Sequence, residues 1–89
     1  MNRTEILTEA ARLVSSDREA QHGDPRENFR RVALAWSAVS GYPITPAQVP
    51  LMMAALKGVR AAMGNTNPDD FVDGAGYFAL AGESRDGIN

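Results

Sequence analysis

Three times in this chain a helix-capping side chain is followed by proline and then, three residues after the cap, by an acid or an amide. The three segments are Asp24-Pro25-Arg26-Glu27, Thr45-Pro46-Ala47-Gln48 and Asn67-Pro68-Asp69-Asp70. Each spells a helix start. A cap oxygen accepts from an orphan backbone N–H, proline at the first helical position gives up only a donor that had no partner, and the third residue can reach back. Gly41 and Gly64 follow the second and third helical patterns, where a left-handed residue closes a helix.

With an unmarked first helix the pattern gives four, over about 4–19, 25–40, 46–63 and 68–83. The predicted apolar stripes are Ile6, Leu7, Ala10, Ala11, Leu13 and Val14 on the first, and Phe29, Val32, Ala33, Trp36 and Val39 on the second. The third carries Val49, Met52, Met53, Leu56, Val59 and Met63, and the fourth Phe71, Val72, Ala75, Phe78 and Ala79. Pro50 is expected to cost the third helix a backbone bond and to kink it. Gly74 and Gly76 cost the fourth about 1 kcal/mol each relative to Ala, and mark either close approach by another helix or a weak point. Nothing alternates with strand period. The expected fold is all-α: a compact bundle of four helices in one domain, 1–89, with 84–89 a frayed tail.

Fourteen of the 89 residues are alanine, so the core is built from small side chains and homo-oligomerisation is expected to supply missing burial. The absence of cysteine excludes disulfides, cysteine nucleophiles and thiolate metal sites, and the single His22 excludes a His-rich one. A formal net charge of −2 argues against general nucleic-acid coating. No membrane span and no signal peptide is apparent, so a cytoplasmic protein is expected. Eight of the nine cations are Arg, a planar fork suited to phosphate or carboxylate.

Three clusters can carry chemistry. Lys57 and Arg60 stand three apart on the third helix, Arg60 by phase on or beside the apolar stripe and Lys57 along its edge. They form either a phosphate or carboxylate clamp, or snorkelling cations paired to a neighbouring helix. On the fourth helix Asp70, Asp73 and Tyr77 share a face; the two acids either pair with those cations or hold Mg²⁺ through oxygen. Between the first two helices lie Arg18, His22, Gly23 and Asn28. His22 is the one side chain of a type expected to titrate near neutrality, Gly23 permits a positive φ before a capped helix, and Asn28 borders the apolar face of its helix.

The ordered set Asp17-Arg18-x-x-x-His22-Gly23-Asp24-Pro25-x-x-Asn28-Phe29, then Trp36, Ile44-Thr45-Pro46, Met52-Met53, Leu56-Lys57-x-x-Arg60 and Asp70-x-x-Asp73-x-x-Gly76-Tyr77, resembles an uncharacterised helical domain family found mainly in bacteriophages and prophages. The resemblance covers about positions 5–83. The family usually has Tyr where this chain has His22.

More distantly, the late Asp-x-x-Asp resembles MazG-type all-α nucleotide pyrophosphohydrolases, which bind Mg²⁺ through carboxylates; their earlier Glu-x-x-Glu is missing, because Glu27 is followed by Asn28-Phe29-Arg30. Size, composition and the phage resemblance also align the chain with phage-encoded sponges that sequester nucleotide signals in the host cytoplasm. The leading expectation is a homo-oligomer that binds a phosphorylated nucleotide-derived ligand without turnover and needs no cofactor. Arg18, Lys57 and Arg60 would contact phosphate, His22, Asn28 and Tyr77 the base or ribose beside Gly23, and Asp73 would orient the cations or bond a ribose hydroxyl. The alternatives are an Mg²⁺-dependent pyrophosphohydrolase using Asp70 and Asp73, and a structural or adaptor protein in which these charges are bundle ion pairs.

Overall fold

A computed structural model describes residues 1–15, 23–64 and 67–88, with side chains to Ser84. The described residues form four helices: α1 (Arg3–Leu13), α2 (Pro25–Ser40), α3 (Gln48–Ala62) and α4 (Pro68–Ile88). No strand occurs among them, as the absence of strand period predicted.

Two of the three predicted starts form as expected. Asp24 accepts from the Arg26 N–H at 3.0 Å with Pro25 first in α2, and Asn67 accepts from the Asp69 N–H at 3.0 Å with Pro68 first in α4. Replacing Asp24 by Ala is therefore expected to destabilise the fold by about 1 kcal/mol, read as a lower urea midpoint at unchanged slope. Gly41 closes α2 at φ 78°, and Gly23 also has positive φ, 88°.

The third start differs. Thr45 and Pro46 form a tight turn before α3: the Gln48 N–H donates to the Thr45 carbonyl at 3.0 Å, and Gln48 Oε1 reaches back to the Thr45 N–H at 2.8 Å. The cap position passes to Ala47, which has no side chain to donate or accept. This shift removes the expected cost of Pro50. Standing third in the helix, its missing N–H belongs to the first turn, whose donors have no intrahelical partner anyway.

The first helix starts on a capping box the sequence reading passed over, in which Asn2 accepts from the Glu5 N–H at 2.9 Å and Glu5 accepts from the Asn2 N–H at 3.1 Å. It closes at Val14, short of the predicted Glu19; Ser15 follows, a residue whose hydroxyl competes for backbone bonds. Near its end the Arg12 guanidinium, hydrogen-bonded to Glu9, holds the Glu9 carboxyl below its ordinary range and is itself raised. At the other end of the chain α4 continues to Ile88, beyond the predicted Glu83, and Ser84 is buried.

The long fourth helix is the spine, packing along α3 and against α1, while α2 leans on α3. Phe29, Ala33 and Val49 form the buried centre, closed by Val32, Trp36, Ile44 and Leu80. Ser37 fastens the connection to α3: its hydroxyl donates to the Ala33 carbonyl at 2.7 Å and accepts from the Ile44 N–H at 2.8 Å.

The expected glycine contacts are present. A Cβ on Gly76 would stand 3.3 Å from Val14 Cγ1 of α1, and one on Gly74 would stand 3.5 Å from Lys57 Cβ of α3.

Two predicted stripes do not face inward. On α3 only Val49 is buried and Met53 half-buried, whereas Met52, Leu56, Val59 and Met63 are exposed. On α4 Val72 is buried but Phe71 and Phe78 are exposed. The cause is the line of approach. The fourth helix meets α3 along its small side, at Ala54, Lys57 and Ala61, with Asp70, Gly74 and Ala81 in the groove and the exposed Phe71 and Phe78 along its rim. Leu7 and Val39 on the outer helices are exposed as well.

Candidate functional site

The α3–α4 contact is bridged by two ion pairs. Lys57 Nζ lies 3.3 Å from Asp73 Oδ2, and Arg60 Nε lies 3.1 Å from Asp70 Oδ1. The i, i+3 spacing of the cations on one helix matches that of the acids on the other, so the pairs form a ladder. Its rungs differ in burial: the Lys57 side chain is 17% exposed and that of Arg60 51%, the reverse of the predicted phase. The difference follows from α4 packing on the Lys57 side of α3 rather than on the large apolar stripe. Asp70 is 2% exposed at the side chain and makes interactions beyond Arg60, whereas Asp73 is half-buried.

On the other side of α4, facing α1, a cavity of about 220 Å³ is lined by Leu13, Val14, Asp73, Gly76, Tyr77 and Leu80, together with the buried Val72. It exists because Gly76 has no side chain and Val14 closes on it from α1. Asp73 and Tyr77, both half-buried, are its charged and aromatic groups. Asp73 thus belongs to both features: its carboxylate pairs with Lys57 and lines the cavity. Such a wall supplies an acceptor for hydroxyl or amine protons, a ring face for stacking, and aliphatic surface that excludes water.

Lys57, Arg60, Asp70, Asp73 and Tyr77 are brought together along α3 and α4. Gly23 and Asn28, both exposed, line neither this cavity nor the ladder; exposure also lets water satisfy the Asn28 amide. Arg18 and His22 lie outside the described residues. The aliphatic lining by Leu13, Val14 and Leu80 escaped sequence reasoning, because periodicity identifies an apolar face without saying which helix it meets.

Asp70 and Asp73 are each drawn to a separate cation, and among the described residues no three His, Cys, Asp or Glu side chains gather into a metal-binding group. Nor is any helix among them long and apolar enough to cross a membrane.

Residues 5–85 match the family model described as "Domain of unknown function (DUF6378)". The chain belongs to the DUF6378 family. Two relatives carry the name "Gene 55 protein". That of Mycobacterium phage L5 is 38% identical over 76 residues, covering 84% of this chain and 49% of the relative; that of Mycobacterium phage D29 is 38% identical over 72 residues, covering 81% and 48%. This DUF6378 chain therefore spans about half the length of those phage proteins. No solved structure matches it significantly.

Proposed function

We propose that this DUF6378 protein is a homo-oligomeric phage-type binding protein that sequesters a phosphorylated nucleotide-derived ligand in the host cytoplasm without turning it over. The observation that carries the proposal is the α1–α4 cavity, where Asp73 and Tyr77 share an otherwise aliphatic wall. A ribose diol or exocyclic amine donates to the Asp73 carboxylate while the base stacks on Tyr77. At about 220 Å³ the cavity lies below the ~300–1,000 Å³ of drug-sized sites, so it takes one nucleoside and leaves the phosphate outside. Lys57 and Arg60 are cations available to the phosphate among the described residues, and Lys57 must then share its charge with Asp73. The phage relatives give a counter-defence role its context.

The test is a thermal-shift panel of cyclic dinucleotides and ADP-ribose derivatives. A ligand at one-hundredfold its Kd is expected to raise Tm by about 10–20 °C in a domain this small. Asp73→Ala and Tyr77→Ala should each lose most of that shift while remaining folded. No shift with any nucleotide would refute the reading.

The ion pairs favour a second reading, a structural or adaptor protein. It expects Lys57→Met combined with Asp73→Leu to leave function intact and stability equal or higher, whereas the ligand reading expects the same double variant to lose binding.

A further inference from the structure

The third helix is apolar on both sides. Its inner side packs on α4, and along its outer side from Leu51 to Val59 every exposed residue is apolar or glycine: Leu51, Met52, Ala55, Leu56, Gly58 and Val59. A helix that is hydrophobic all round belongs inside a bundle, and here half of it meets water. The spacing of the exposed Met52, Leu56, Val59 and Met63 alternates four and three, the seam that knobs-into-holes packing uses.

The surface is continuous with α4. Phe71 and Phe78, 51% and 67% exposed, stand beside α3. Two cavities lie along the α3–α4 groove, one of about 530 Å³ between Leu51 and Phe78 and one of about 300 Å³ between Gly58 and Phe71. Gly58 and Gly82, disfavoured within helices, have no atom of the described residues within 4 Å of where a Cβ would stand, so nothing among those residues requires their smallness. Both line this groove.

The exposed area is large enough for a neighbour of standard size. The chain exposes 6152 Å², where the scaling for folded monomers gives about 5,100 Å² for this mass. The excess, about 1,000 Å², is comparable to the ~800 Å² that each partner contributes to an interface of standard size. Between Leu51 and Val59 the one charged side chain, Lys57, is turned to Asp73 of α4, so the outer face has no charge to select a charged partner and is complementary to itself across a two-fold axis.

We infer that the outer face of α3 with Phe71 and Phe78 of α4 is a self-association surface, on which a second copy of this chain packs the same two helices. This names the surface for the oligomer proposed above and is independent of ligand binding.

The experiment is sedimentation velocity of the full chain at micromolar concentration, alongside Val59→Glu and Phe78→Glu, with helix content followed by circular dichroism. Wild type is expected at twice the chain mass and both variants at the chain mass with unchanged helix content, because each side chain faces water in the single chain. Val59→Ser, which trims apolar surface without adding charge, should weaken the dimer at least tenfold and serves if a charged variant loses its helices. A monomeric wild type overturns self-association altogether and leaves the face to a different chain. A dimer that survives all three substitutions overturns this surface alone, and neither result bears on the nucleotide panel.

Discussion

Phe29→Ala is expected to remove most of the chain's stability, a loss of about 3–5 kcal/mol. Phe29 is the one large ring in the buried centre; its fully packed neighbours there are Ala33 and Val49, and Val49 is 2% exposed. Side chains this small cannot collapse into the space a phenyl ring leaves. Truncating a buried Phe costs about 3–5 kcal/mol, and the stability of small domains lies toward the low end of ~5–15 kcal/mol. Thermal denaturation followed by circular dichroism at constant protein concentration checks this. A loss below about 1 kcal/mol would mean that the burial of Phe29 contributes little to the fold.

Arg60→Met should have the next largest effect, by leaving a buried acid without its opposing charge. Asp70 is 2% exposed at the side chain, and its carboxylate lies 3.1 Å from Arg60 Nε. Removing one member of a fully buried pair costs about 3–5 kcal/mol. Here Arg60 is half in water and Asp70 keeps other interactions, so about 1–3 kcal/mol is expected. Adding Asp70→Leu should return part of that loss, since the apolar replacement needs no partner. Urea denaturation of the two single variants and the double one completes the cycle. If Arg60→Met costs nothing, the pair has no structural role, and Arg60 is held in place for something outside the chain.

The parts of the fold legible in the sequence were those written in local chemistry. Asp24-Pro25 and Asn67-Pro68 start helices because a cap oxygen and a fixed φ act within three residues, and Gly41 ends one because its φ is positive. Thr45-Pro46 failed as a helix start although its sequence is equally suitable; the turn it makes places Gln48 first, and Pro50 then fits the first turn. Packing was less legible. Apolar period pointed α3 inward through Met52, Leu56 and Val59, but a helix apolar on both sides has no single phase, and α4 took the small side. Of the two cations Lys57 consequently became the less exposed and Arg60 the more exposed.

The candidate site was legible to the same extent. Matching i, i+3 spacings in Lys57-x-x-Arg60 and Asp70-x-x-Asp73 suffice to propose a ladder once two helices are expected side by side. Tyr77 shares a helix face with the acids and was found for that reason. The cavity itself depends on which helix fills the gap at Gly76, and that is a tertiary choice made by Val14.

Both the binding reaction and its location can be followed in one titration of the ¹⁵N-labelled protein with cyclic dinucleotides and ADP-ribose, monitored by amide correlation spectra. The ligand account predicts saturable shifts centred on Leu13, Val14, Asp73, Gly76 and Tyr77, with smaller ones at Lys57 and Arg60. Spectra that stay unchanged with every nucleotide, or shifts centred away from the α1–α4 cavity, would contradict it.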